Sequence, residues 1–173
     1  IKNSDAMSAK TDEKLSSSLE KIADQKAGIL KEGGHAVCAD QAPEVMAVVQ
    51  RIAEEKHCVL RTVDRNHISH IRRGKGKQLE RQRFDYRCDD GTVLKDLEIG
   101  LAGAVQPENA QLAIETIEIL REQGFLISEA ALRKGLSETV WKGRFTVIAR
   151  KPLFVVDGAH NEDAAKKLAE SVQ

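Results

Sequence analysis

A strand, helix, strand succession near the amino end constrains this chain more than any other feature. His35–Ala39 is a short apolar run, and Pro43 stands where a first helical turn tolerates it. Val45, Met46, Val49, Ile52 and Ala53 share one helical face, and Cys58-Val59-Leu60 with Val63 forms a second apolar run. Two strands joined through a helix run parallel, because a parallel pair needs a crossover of about a dozen residues. The pattern predicts an α/β fold. Upstream, Leu15, Leu19, Ile22 and Ala23 recur at helical spacing until Gly28, which predicts an amphipathic helix before the turn at Gly33-Gly34.

Beyond Val63 the apolar content collapses. From Arg65 to Arg87 eight Lys/Arg stand against Glu80 and Asp85, with Arg72-Arg73-Gly74-Lys75-Gly76-Lys77 at the centre. Single-stranded nucleic acid would call for aromatic platforms among such cations, and only Phe84 and Tyr86 are near, so the run reads as a solvated loop or hairpin. The glycines are no phosphate loop either, since a Walker sequence needs four residues between them and Ser or Thr after the Lys. His67 and His70 lack the second pair that a zinc site with Cys58 or Cys88 would need.

Phe84 to Cys88 and Val93 to Leu101 read as a hairpin around Asp89-Asp90-Gly91. Asn109 is expected to open a helix with Ala110, Ala113, Ile114, Ile117 and Leu120 toward the core and Gly124 at its end, and Ser128 to cap a shorter helix through Leu136. Two apolar strands follow, Phe145 to Ala149 and Leu153 to Val156. The second runs into Asp157-Gly158-Ala159-His160-Asn161, where Asn161 can cap a helix with Glu162 and Asp163 in its first turn. One strand and one helix leave a helix face uncovered, so this second α/β domain reads as incomplete.

Composition narrows the function classes. With 27 Lys+Arg against 27 Asp+Glu the net charge is zero, which gives no global attraction to nucleic acid or to acidic lipid. Aromatics are only 3%, so an aliphatic core is expected. Three scattered cysteines make no disulfide framework, and no apolar run reaches the ~20 residues of a membrane helix. A cytoplasmic protein with reduced thiols and no membrane partner is expected.

The end of the last strand is where chemistry concentrates. Open α/β sheets bind ligands at the carboxyl ends of their strands. Asp157 there suits ribose hydroxyls, Gly158 permits close backbone approach, and the helix start at Asn161 offers free N–H groups to an anion. Spacing alone leaves a second possibility equally open, in which Asp157 and Asn161 only cap the turn and His160 is a surface residue.

Val155-Val156-Asp157-Gly158-Ala159-His160-Asn161 resembles the Asp-Gly-Ala-His-Asn-Pro stretch of the folylpolyglutamate synthase and dihydrofolate synthase family, within the Mur-ligase superfamily. Gln25-Lys26-Ala27-Gly28-Ile29 resembles the family's Glu-Lys-Ala-Gly-Ile block, Gln106-Pro107-Glu108-Asn109-Ala110 its His-Gln-x-x-Asn-Ala block, and Trp141-Lys142-Gly143-Arg144 its Trp-Pro-Gly-Arg block. The four blocks stand in family order. The resemblance implies an internal fragment, covering about Leu15 to Val172, without the family's phosphate-binding loop or most of its second domain. Residues 1–14 are then of uncertain origin, 15–141 the rear of a central mononucleotide-binding α/β domain with a β-hairpin, and 142–173 the linker and first strand-helix unit of a Rossmann-like carboxy-terminal domain.

The same resemblance implies the chemistry: an ATP-dependent amide ligase joining L-glutamate to a folate or dihydropteroate carboxylate through an acyl phosphate, monomeric at full length. Asn109 and Arg144 match nucleotide-contacting positions, Asp157 a ribose-contacting one, and His160 a position near the transferred phosphoryl group and the incoming glutamate. Lys26 matches a carbamylated lysine that helps hold magnesium, a modification favoured by burial. Several positions depart from the pattern. Gln25 stands for Glu, Val105 for the His of the His-Gln pair and Glu162 for Pro, and the expected upstream histidine ligand falls near Thr11. A non-catalytic binding or interaction fragment, or a paralogue that has lost the metal site, is the alternative.

Overall fold

The computed structural model describes residues 18–172, leaving segment 1–14 and Leu15 outside the described residues. The chain forms two compact units, divided between Val63 and Asp64. The first holds a helix α1 (18–27), strand β1 (His35–Ala39), helix α2 (Pro43–Glu55) and strand β2 (Val59–Val63). β1 and β2 pair in parallel, from His35 opposite Val59 to Ala39 opposite Val63, as the crossover requires. Pro43 lies in the first turn of α2, where its missing N–H costs no helical hydrogen bond. The buried side chains are small or flexible: Ala23 and Ala27 from α1, Met46, Ile52 and Ala53 from α2, and Val63. Arg51 of α2 reaches Asp24 of α1 at 3.1 Å and Glu55 at 2.7 Å.

The second unit is built on a three-stranded antiparallel sheet, β3 (Ile68–Arg73), β4 (Gln82–Arg87) and β5 (Val93–Ile99), in that spatial order. Its inner face presents Phe84, Tyr86, Leu94, Leu97 and Ile99 to α3 (Gln106–Glu122) and α4 (Glu129–Glu138), which contribute Ala110, Ile114, Leu132 and Leu136. The two fully buried aromatics at its centre qualify the aliphatic expectation. Each ring covers as much surface as two or three small aliphatic groups, so a few suffice. The Tyr86 hydroxyl donates to the carboxylate of Glu115, itself buried on α3.

The basic run is the hairpin β3–β4, and its arginines meet the acids of the facing strands on the outer face. Arg72 and Arg83 each lie 2.5 Å from Asp96, Arg83 is 2.6 Å from Glu98, and Arg81 also pairs with Glu98. Three of the eight cations of the run, Arg72, Arg81 and Arg83, are thus paired within the sheet, and Arg65 pairs with Glu108 of α3.

Two boundaries and one helix position differ from expectation. α3 starts at Gln106, so Asn109 sits inside its first turn; Pro107, with no N–H to leave unpaired, is accommodated at the helix start. Ala113 faces outward instead of toward the core. Phe145 precedes strand β6 (Thr146–Arg150), because its backbone is left-handed (φ 44°) and cannot join the ladder. β6 and β7 (Leu153–Val156) form an antiparallel hairpin, followed by α5 (Glu162–Val172). Asn161 caps α5, its side-chain oxygen accepting from the Ala164 N–H at 2.9 Å. No helix among the described residues is long and apolar enough to cross a membrane.

Burial, reinforced by the Glu118 carboxylate, pushes the Cys88 thiol up to about 11, and burial with the Glu115 carboxylate raises the Tyr86 phenol further. An unfolded thiol ionises near pH 8.5, so above that the unfolded chain has lost a proton that the folded chain retains. Stability is therefore complete below about pH 8.5 and falls as pH rises. Urea midpoints measured from pH 8 to 11 should decline steadily, and Cys88→Ala should flatten the first part of the decline; a midpoint independent of pH would contradict this.

Candidate functional site

The site begins where β5 ends. Gly100 donates its N–H to the Leu136 carbonyl at 3.1 Å, and the buried Gln82 amide donates to the carbonyls of Leu101 (2.9 Å) and Gly103 (2.8 Å). These contacts hold the segment leading into α3. Gly103 turns the chain there with φ 116°, which a side chain would resist. Between this segment, the first turns of α3 and the residues after α4 lies a cavity of about 630 Å³. Ile99, Leu101, Val105, Ala110, Ala113 and Leu136 give it apolar walls, and Gln106, Asn109, Thr139, Trp141 and Arg144 give it polar edges.

Asn109 is exposed, with its amide nitrogen 3.2 Å from the Gln106 side-chain oxygen. Arg144 is held by a tight turn. Its N–H reaches the Trp141 carbonyl at 3.2 Å, Gly143 adopts φ 82° and donates to the Thr146 hydroxyl at 2.9 Å, and the guanidinium carbon stands 5.5 Å from the centre of the Trp141 ring. Phe145, buried, anchors the far side of the turn.

Asp157 fixes that anchor. One carboxylate oxygen accepts from the Phe145 N–H and the other from the Ala159 N–H, both at 2.8 Å. It also lines a smaller recess of about 180 Å³ with Arg144, Phe145, Lys167, Val105 and Gln106. Arg144, Val105 and Gln106 line both recesses, so the two adjoin, with Asn109 on the larger, Asp157 on the smaller and Arg144 on both. The apolar chamber is thus edged by an amide and adjoins a recess with cations at Arg144 and Lys167, the mix of apolar walls and a few polar groups that small-molecule sites use.

His160 lines neither recess; it is exposed, with Nδ1 2.9 Å from the Gly158 carbonyl. Lys26 belongs to the first unit and is exposed, whereas a carbamylated lysine is expected in a buried setting. Among the described residues no group of three or more His, Cys, Asp or Glu is placed to hold a metal ion. The His67 and His70 rings are engaged elsewhere, by the Arg87 carbonyl and the Asp85 carboxylate. Gln106, Thr139 and Lys167 border the site without having been singled out for a role in the sequence. Gln106 at least carried a signal, since it stands in the same short block as Asn109.

No protein-family model matches the chain. The dihydrofolate synthase/folylpolyglutamate synthase of Bacillus subtilis (strain 168) is 32% identical over 160 residues, which cover 92% of this chain and 36% of that protein. The folylpolyglutamate synthase of Lacticaseibacillus casei is 34% identical over 154 residues, covering 88% and 35%. The chain belongs to the folylpolyglutamate synthase and dihydrofolate synthase family. A solved folylpolyglutamate synthase in complex with AMPPCP and folate superposes with a TM-score of 0.79 at 28% identity, over 88% of this chain and 37% of that one. The α/β architecture is thus that of folylpolyglutamate synthase structures, and the chain spans roughly a third of the length of the curated relatives it matches.

The Asp157 clamp has a measurable consequence. Asp157→Ala leaves the Phe145 and Ala159 N–H groups without their acceptor and should lower unfolding free energy by about 1–3 kcal/mol, with Asp157→Asn recovering part because its amide keeps one acceptor oxygen. Urea denaturation of the two variants checks this; a loss below about 0.5 kcal/mol for Asp157→Ala would show that the clamp is not structural.

Proposed function

We propose that the chain is a nucleotide-binding part of an ATP-dependent carboxylate–amine ligase that adds L-glutamate to a folate or dihydropteroate carboxylate. The observation that supports this most is the pair of adjoining recesses that carry Asn109 and Asp157 and share Arg144, in a chain whose relatives are named for this synthesis and include a structure bound to AMPPCP and folate. In the whole ligase, the carboxylate oxygen attacks the γ-phosphorus and ADP departs. The amine nitrogen of glutamate then attacks the acyl carbon, phosphate leaves, and the nitrogen gives up a proton.

Each residue has a defined part in this reading. The apolar chamber takes the adenine base, with the Asn109 amide at its edge. Asp157 keeps acceptor capacity for ribose hydroxyls beyond its two backbone bonds, because a carboxylate offers about four lone-pair sites. Arg144 suits the phosphates: its planar fork matches their oxygens and its charge offsets the negative charge that develops on transfer. His160 stands at the start of α5, close in sequence to Asp157, for the reacting groups. Magnesium accompanies the nucleotide in the whole ligase, and Lys26 is the position that the family resemblance matches to a carbamylated magnesium ligand. The ligase domain extends to about Trp141, and Leu153–Val172 open the second domain. The three thiols are free, which suits a reducing, cytoplasmic setting, and the whole enzyme is read as a monomer without nucleic-acid or membrane partners.

The second reading, a non-catalytic binding fragment, is favoured by one observation: among the described residues no group of three or more His, Cys, Asp or Glu is placed to hold a metal ion. The two readings share nucleotide binding and part over turnover. The 173 residues hold no Gly-rich loop ending in Gly-Lys-Ser or Gly-Lys-Thr. The purified chain should therefore bind ATP in calorimetry, lose about tenfold affinity on Asn109→Leu, and release no phosphate from ATP with folate and glutamate. In a full-length homologue with the same residues, Arg144→Ala should lower kcat by about 10²-fold or more, while Asp157→Ala should mainly raise the KM for ATP. Absence of ATP binding to the chain, or the reverse split in kinetics, would overturn these assignments.

A further inference from the structure

Trp141 has no role in the reading given so far, yet its placement is unusual. It is the one tryptophan of the chain and 62% of its surface is open to solvent at the edge of the large cavity. Its only described ring partner is the Arg144 guanidinium, 5.5 Å away. The guanidinium makes no hydrogen bond or ion pair with another described residue, whereas Arg72, Arg81, Arg83, Arg121, Arg133 and Arg150 all pair with carboxylates. The backbone enforces the arrangement. The Arg144 N–H closes a turn onto the Trp141 carbonyl, and left-handed conformations at Gly143 and Phe145 bracket Arg144.

We propose that Trp141 is a positioning residue: its indole face holds the Arg144 guanidinium over the cavity with its N–H groups uncommitted, ready for a phosphate chain. A carboxylate partner would hold the arginine as well but would compete with the incoming anion. An aromatic face attracts the cation through its quadrupole and leaves all five N–H donors for oxygen. Arg144 therefore reaches the phosphates without giving up an ion pair. This rests on the nucleotide reading above, and it predicts that Trp141 matters to phosphates more than to the base.

Calorimetry of the 173-residue chain with ATP and, separately, with adenosine tests the two layers apart. Trp141→Leu should weaken ATP binding about three- to fivefold and leave adenosine binding unchanged, and Trp141→Phe should retain most of the ATP affinity. Being surface-exposed, Trp141 can be replaced without opening the core, and far-UV circular dichroism verifies the fold of both variants. In the wild-type chain the single-tryptophan emission should change on addition of ATP, and Arg144→Met should abolish that change. Equal losses for ATP and adenosine, or none for either, would overturn the positioning role while the nucleotide site stood. Failure of the wild-type chain to bind ATP or adenosine would overturn the site and the positioning role together.

Discussion

At Gly100 the backbone of β5 passes the end of α4 so closely that a Cβ there would stand 2.7 Å from the carbonyl oxygens of both Ser137 and Thr139. No real side chain tolerates that approach to backbone, so glycine is required by close contact, and its φ has no part in it. Both walls of the candidate site issue from this contact. One is the segment Leu101–Val105, which Gln82 holds as it enters α3; the other is Thr139–Arg144, which leaves α4 and carries Trp141. Because the same few atoms position the two walls, the cavity is a fixed product of packing in this unit. The buried pair of Tyr86 and Glu115 serves the same end, tying β4 to α3 at a place where an unpartnered carboxylate would be costly.

The arginines of the second unit divide into two kinds. On the outer sheet face, Arg72, Arg81 and Arg83 share Asp96 and Glu98 in a cross-strand ladder. Exposed pairs of this sort contribute little stability each, but here they offset a like-charge contact, because the register sets Arg72 opposite Arg83 and both reach the Asp96 carboxylate. Arg144 is of the other kind, with backbone geometry to fix it and no carboxylate to occupy it. Among the described residues the Arg144 guanidinium thus stands at the cavity without a carboxylate partner, while Arg72, Arg81 and Arg83 are neutralised within the sheet.

What could be read from the sequence follows from the range of the interactions involved. Local, periodic signals were legible: the parallel pair β1 and β2, the hairpin at Asp89-Asp90-Gly91, the Ser128 and Asn161 caps. Asn109, Arg144 and Asp157, which the short blocks carry, lie along two adjoining recesses that share Arg144. Non-local contacts were not legible. Nothing local in Ala113 or Gln111 reveals that α3 turns the alanine outward and buries the glutamine, whose amide reaches the Asp64 carbonyl. The start of α3 at Gln106 was missed because Asn, a good cap, competed with Pro, a good first-turn residue, and the proline prevailed. Phe145 looked like strand by its side chain, while Asp157, twelve residues on, holds its backbone left-handed.

That last contact also settles between the two possibilities that spacing left open for Asp157 only in part. Its carboxylate does cap the turn, accepting from Ala159, and in the same stroke it fixes Phe145 and with it the turn presenting Arg144. A carboxylate can do this and still accept from a ligand, whereas an amide, with one acceptor oxygen, would have to choose. The structural and ligand-binding roles are therefore not alternatives. Any ligand that draws on both Asp157 and Arg144 binds only the state in which the clamp is closed, and by linkage it must stabilise that clamp in proportion to its affinity.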